Sequence, residues 1–253
     1  MIRLTFLFVL LLSQVGCVTS TTQHTVTESD LKAVGNYAGL INYYKTALIT
    51  SPNDPKVMLS LADAYYRNKD IESARFYVDQ LEKLNYQGAT FSFLAGNVYA
   101  ASDDYSRALT AYQHAKQQGY SASDLDLEMG IVYSYTSQYL LAKEAFDQAR
   151  LKGHDDIAIK NNLAVLAIAQ AHYQQAVDIL LPVFQHSPEQ QKVSFNLAIA
   201  LIQLGDIPQA KQVLGERITD DQLMALVYAL RVSGNTENKE SHEISNEEQH
   251  EPA

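Results

Sequence analysis

Cysteine is almost absent from this chain: Cys17 is the only one among 253 residues. No intrachain disulfide is therefore possible. Positive charge is also scarce, with 19 Lys and Arg against 29 Asp and Glu and a formal net charge of −10. General nucleic-acid binding needs a basic patch for the phosphates, so this balance argues against it and no nucleic-acid partner is expected. The one apolar run near the start, Leu4–Leu12, is too short to span a bilayer about 30 Å thick, which takes roughly 20 helical residues. Catalytic motifs are missing as well. The chain has no HExxH, no paired metal-ligand spacing, no nucleophile elbow and no glycine-rich phosphate loop. The turn His154-Asp155-Asp156 is read as a helix start capped by an aspartate, not as a metal site. These absences predict a protein that is not an enzyme and has no metal, no cofactor and no small-molecule substrate.

What the chain does have is a period. The stretch Ile157–Gln190 holds two apolar helical patterns separated by Gln170-Ala171-His172. Leu163, Ala164 and Ala167 share a face of the first, and Ala176, Leu180 and Val183 a face of the second. Shifting by 34 residues lands on the same residue types. Ala176 becomes Ala74, Ala108, Ala142 and Ala210, with Leu40 in the first copy. Leu180 becomes Tyr44, Val78, Tyr112, Phe146 and Leu214, and Ala164 becomes Ala62, Gly96, Gly130 and Ala198. The second helix opens on Tyr37, Tyr105, Tyr139 and Tyr173, with Ile71 and Ile207 in the other copies. Small residues belong where two helices cross closely, and a bulky one beside them fills the remaining gap. Six copies start near Thr21, Pro55, Ala89, Ser123, Ile157 and Gln191 with no insertion or deletion.

A helix–turn–helix unit of this length and pattern resembles the tetratricopeptide repeat (TPR). That resemblance implies an all-α, right-handed superhelical solenoid of about six repeats, its concave groove lined mainly by the first helix of each pair. A helix pair cannot bury both its faces alone, so the stack needs caps. Thr27-Glu28-Ser29-Asp30 marks a truncated first helix that ends near Gly35. Thr219–Val232 reads as an added helix that closes the other end through Leu223, Leu226, Val227 and Leu230. Asn53-Asp54-Pro55, Ser187-Pro188 and Asp206-Ile207-Pro208 place cap residues before a helix-starting proline. Pro182 predicts a kink or tightening near Leu180.

The four segments expected are 1–16 as an export signal, 17–28 as a flexible tether, 29–233 as the solenoid and 234–253 as a disordered tail. Arg3 supplies the positive start of the signal and Leu4–Leu12 its apolar core. Gln14-Val15-Gly16-Cys17 resembles a bacterial lipobox, departing from it at Gln14, where an aliphatic residue is usual. The alternative is an ordinary secretory signal cleaved nearby. The lipobox resemblance implies diacylglycerol on the Cys17 sulfur and an acyl chain on the new amino terminus, which leaves no free thiol. Several acyl chains make a stable anchor, at about 0.8 kcal/mol per buried CH₂. With Val18 and not Asp after the cysteine, it further implies the periplasmic face of the outer membrane. Gly234–Ala253 carries six glutamates against one lysine, and Ile244 is its one large apolar residue. It cannot bury enough surface to offset the entropy of ordering; the alternative is an acidic docking segment for a basic partner.

On the first helices, the residues expected to face the groove toward the C-terminus are Leu127, Ile131, Asn161, Val165, Ile168, Phe195, Ile199 and Ile202. They predict an apolar strip suited to an amphipathic helix or an extended hydrophobic segment of a protein partner. The Lys and Asn clamp that some TPR domains use for a terminal carboxylate is not reproduced; Lys56, Arg67 and Asn97 are scattered. Asn162-Leu163-Ala164, Leu180-Leu181-Pro182, Pro188, Asn196-Leu197-Ala198 and Leu204-Gly205-Asp206, taken with the lipobox, resemble the TadD family of tight-adherence (Flp pilus) assembly lipoproteins. This resemblance implies a scaffold for the secretion apparatus, with the secretin or another pilus-assembly component as partner. Two alternatives stay open. One is a pilotin or assembly lipoprotein of another outer-membrane machine, and the other an adaptor for periplasmic cell-wall enzymes.

Overall fold

The computed structural model describes residues 26–232, and every element in them is helical. Lipidation at Cys17, the export signal, most of the tether and the acidic tail lie outside the described residues. The helices come in pairs: α1 (Glu28–Ala33) and α2 (Tyr37–Thr50), α3 (Pro55–Arg67) and α4 (Ile71–Lys83), α5 (Ala89–Ala100) and α6 (Tyr105–Gln117), then α7 (Ser123–Tyr135) and α8 (Tyr139–Leu151). They continue with α9 (Asp156–Ala169) and α10 (Tyr173–His186), and with α11 (Gln191–Gln203) and α12 (Ile207–Leu214). A short 3₁₀ turn, Gly215–Arg217, leads to the last helix, α13, over residues 220–232.

Local chemistry sets these boundaries. Asn36, Asp54, Asp70, Asp104, Asp155 and Asp206 each turn a side-chain oxygen onto backbone N–H groups of the helix that follows. Asp155 in particular accepts from Ala158 N at 2.7 Å. Thr27 forms a full capping box with Asp30, and Thr219 does the same with Gln222. Each of the six turns inside a pair places one residue in the left-handed region: Gly35, Lys69, Asp103, Ser137, Ala171 and Gly205. Helix α10 runs as α-helix through Pro182 to His186. The expected tightening near Leu180 is absent: the proline removes one N–H without ending the helix or converting its last turn to 3₁₀.

Packing follows the repeat. Ala74, Ala108, Ala142, Ala176 and Ala210 are fully buried, as are Val78, Tyr112, Leu180 and Leu214, with Phe146 nearly so. Each second helix packs against its own first helix and the first helix of the next pair. First helices also touch one another in sequence, α3 with α5, α5 with α7, α7 with α9 and α9 with α11, whereas successive second helices make no comparable contact. The stack thus curves toward its first helices, which line the inner face. Helix α13 closes the C-terminal end by burying Leu223 and Val227, with Leu226 and Leu230 packed against the same cluster.

Polar clamps tie neighbouring pairs. Tyr99 Oη on α5 donates to Glu82 Oε1 on α4 at 2.6 Å, and Arg107 on α6 lies over the Tyr99 ring at 3.9 Å while reaching Glu82 at 2.8 Å. Burial, then the Glu82 carboxylate, push the Tyr99 phenol up from its ordinary value. Asp126, buried on α7, is bridged by Lys116 at 3.7 Å and by Lys152.

Candidate binding groove

On the inner face, residues 34 apart fall on continuous rows. One row reads Leu59, Phe93, Leu127, Asn161 and Phe195; the next reads Asp63, Asn97, Ile131, Val165 and Ile199. The rows change character along the stack. On α3 and α5 the second row is polar, and from α7 onward it is aliphatic.

The apolar part contains some of the residues expected from the sequence, but not all. Val165 is 39% exposed and Phe195 42%. Leu127, Ile131, Ile168 and Ile199 are half-buried. Leu127 and Ile131 lean on the cluster around Phe146, and Ile168 leans on the cluster around Ala164. Ile202 is a correction: at 4% exposure it belongs to the core, because the last turn of α11 is turned in toward α12 and α13. Asn161 lies half-buried on the inner face, where its Oδ1 accepts from Asn196 Nδ2 at 2.8 Å and so ties α9 to α11. The apolar strip on the inner face combines the exposed Val165 and Phe195 with the half-buried Ile131 and Ile199.

A separate concavity lies between α3, α5 and α7, with Lys32, Tyr37 and Tyr44 at its N-terminal end and a volume of about 690 Å³. Its walls are aromatic and polar. Phe93 and Tyr120 stack with centroids 4.4 Å apart. Asn97 Oδ1 accepts from Tyr112 Oη at 2.9 Å. Asp63 and Arg67 close on each other, Arg67 Nε lying 3.0 and 2.9 Å from the two carboxylate oxygens. Asp124 and Glu128 stand one turn apart on α7, and burial followed by the Asp124 charge raises the Glu128 carboxyl above its ordinary value. Leu127 alone of the residues expected in the groove lines this cavity.

Asp63, Tyr66, Phe93, Tyr120, Asp124 and Glu128 are not among the residues expected from the sequence, because that expectation covers an apolar strip toward the C-terminus. The 34-residue ruler that places Leu127 and Ile131 also finds Phe93 and Asn97 one copy earlier. Among the described residues no group of three or more His, Cys, Asp or Glu is placed to hold a metal. Nor is any described helix long and apolar enough to cross a membrane.

The solved structures similar to this chain share its architecture. A TPR protein from Parabacteroides merdae ATCC 43184 is 14% identical over 87% of this chain and 89% of that one, with a TM-score of 0.64. A thermophilic TPR protein of Thermus thermophilus is 19% identical over 69% of this chain and 95% of its own, with a TM-score of 0.54. YrrB, described as a TPR protein with an unusual peptide-binding site, is 18% identical over 76% of this chain and 97% of its own, with a TM-score of 0.50. At such identities the likeness is one of fold. No curated protein matches the chain. The tetratricopeptide-repeat family model matches two stretches, residues 31–92 and 167–232, which together make up half of the sequence. This chain belongs to the tetratricopeptide-repeat family.

Proposed function

We propose that this protein is a lipid-anchored TPR adaptor on the periplasmic face of the outer membrane, serving the assembly of a Flp (tight-adherence) pilus secretion apparatus. Its inner groove holds a protein partner, and the secretin is the first candidate. The observation that carries this reading is the apolar strip of Ile131, Val165, Phe195 and Ile199 on the inner face, on successive first helices that pack against one another. TPR solenoids are protein-interaction scaffolds, and YrrB, by its description, is one of similar fold that takes a peptide. The lipobox-like Val15-Gly16-Cys17 supports the anchor, and the stretch Asn161–Ala210 supports the pilus assignment.

Burial of the row contributes roughly 25 cal/mol per Å² of apolar surface, concentrated in a few central contacts. A charge at its centre opposes that burial. Ile199→Asp and Val165→Asp should reduce co-purification of the secretin from membranes, lower its multimers and reduce surface pili, with the circular dichroism spectrum unchanged. Normal secretin capture by a folded Ile199→Asp variant would overturn the groove reading.

A further inference from the structure

The cavity at the N-terminal half of the groove holds a carboxylate that the protein itself leaves unmatched. Glu128 lines the 690 Å³ space, and among the described residues it forms no ion pair and accepts no hydrogen bond. No cation around it stands in an ion pair with it. Arg67 is held by Asp63. Lys32 is held by Glu28 at 2.5 Å. Lys69, the cation whose charge bears on Glu128, has its ammonium over the Tyr66 ring at 5.9 Å. Asp124 adds a second negative charge one turn away, its neighbour being His154 at 3.4 Å. The remaining walls are the aromatic rings of Tyr66, Phe93 and Tyr120, whose faces attract cations.

We infer that this cavity receives the arginine or lysine side chain of the segment bound in the groove, with Glu128 as its counter-ion. The ligand is then an extended segment in which a basic residue is joined to an apolar run. Leu127 and Ile131, on the same helix as Glu128, carry the surface on from the cavity toward Val165 and Ile199. Charge complementarity selects this occupant: the chain's own segment 234–253, with six glutamates against one lysine, has the wrong sign. A cation entering the cavity regains in a charge-assisted hydrogen bond what Glu128 loses by being half-buried and unpaired.

This inference rests on the groove as binding surface, and its test separates the two. The full chain in detergent is used to probe an array of randomised short peptides. The best binder is then titrated beside the same peptide with citrulline in place of arginine, which keeps the shape and removes the charge. Arginine or lysine should be enriched at one position, citrulline should weaken binding about tenfold or more, and Glu128→Gln should remove that difference. If Ile199→Asp weakens all peptides while Glu128→Gln changes nothing, the groove stands and the cation site falls. If Glu128→Gln removes the basic preference while Ile199→Asp has no effect, the cation site stands and the apolar groove falls. An array without basic enrichment, or without binding of any kind, overturns the inference.

Discussion

Gly130 on α7 faces Phe146 on α8 so closely that a Cβ on the glycine would stand 2.6 Å from the edge of the ring. The preceding pair repeats the relationship, with Gly96 facing Tyr112 at 2.3 Å. In three other pairs the large residue is aliphatic, Val78, Leu180 or Leu214, and the small one is an alanine that shares its cluster: Ala62, Ala164 or Ala198. A mid-helix glycine costs about 1 kcal/mol against alanine, so the ring is what keeps it. Gly130→Ala is expected to destabilise the fold by about 1–3 kcal/mol through overpacking, and Phe146→Leu in the same chain should recover most of that loss. Urea unfolding of the two single variants and the double variant measures the coupling; strictly additive effects would disprove the contact.

Ala171 stands at φ 58 in the turn between α9 and α10, where Ala171 N donates to the Ile168 carbonyl at 2.9 Å and His172 N to that of Ala167 at 2.8 Å. Its equivalents Gly35 and Gly205 are glycine. A Cβ in this conformation costs roughly 1–2 kcal/mol, part of which the greater freedom of unfolded glycine offsets. Ala171→Gly should therefore raise stability by about 0.5–1 kcal/mol. A thermal melt shows the gain as a higher midpoint, and a lowered midpoint would contradict the strain.

Glu128 makes stability depend on pH. Because its folded carboxyl titrates above the ordinary value of 4.5, the folded state binds more protons than the unfolded state over that interval. Stability then falls as pH rises from about 4.5 through the raised value, and the penalty is complete above it. Glu128→Gln removes the penalty. The variant should melt at higher temperature than the parent at neutral pH, and the gap should close as the pH is taken down through 4.5. A gap of constant size across that range would argue against a half-buried carboxylate without an ion-pair partner.

The proposed anchor hinges on Cys17. Cys17→Ser should release the protein into the soluble periplasm or leave an unprocessed precursor, and labelling with an alkyne fatty acid should fail in that variant. Equal labelling of parent and variant would end the lipoprotein reading.

The architecture is legible because a solenoid's core repeats with its sequence. Ala142 and Ala176 can be placed at helix crossings from the repeat alone, since each contacts only its own pair and the next. Thr27 and Asp54 can be placed as caps for a similar reason, their partners lying two or three residues away. Ile202 escapes this logic because helical spacing alone puts it in line with Phe195 and Ile199. Its burial depends on how α12 and α13 fold back on the end of α11. The hydrogen bond of Asn161 is equally out of local reach, since its partner, Asn196, lies 35 residues away on another helix.

The sequence by itself determined the repeat length, the number of pairs, the crossing residues and the closing helix, all of which arise from contacts within one or two periods. Only the tertiary structure decided where the inner face is deep and what lines it. The cavity among Tyr66, Phe93, Asn97 and Glu128 exists because α3, α5 and α7 converge on the inside of the curve. A carboxylate that would be an ordinary solvated charge on a single helix becomes, between three helices, one that is half-buried and forms no ion pair among the described residues.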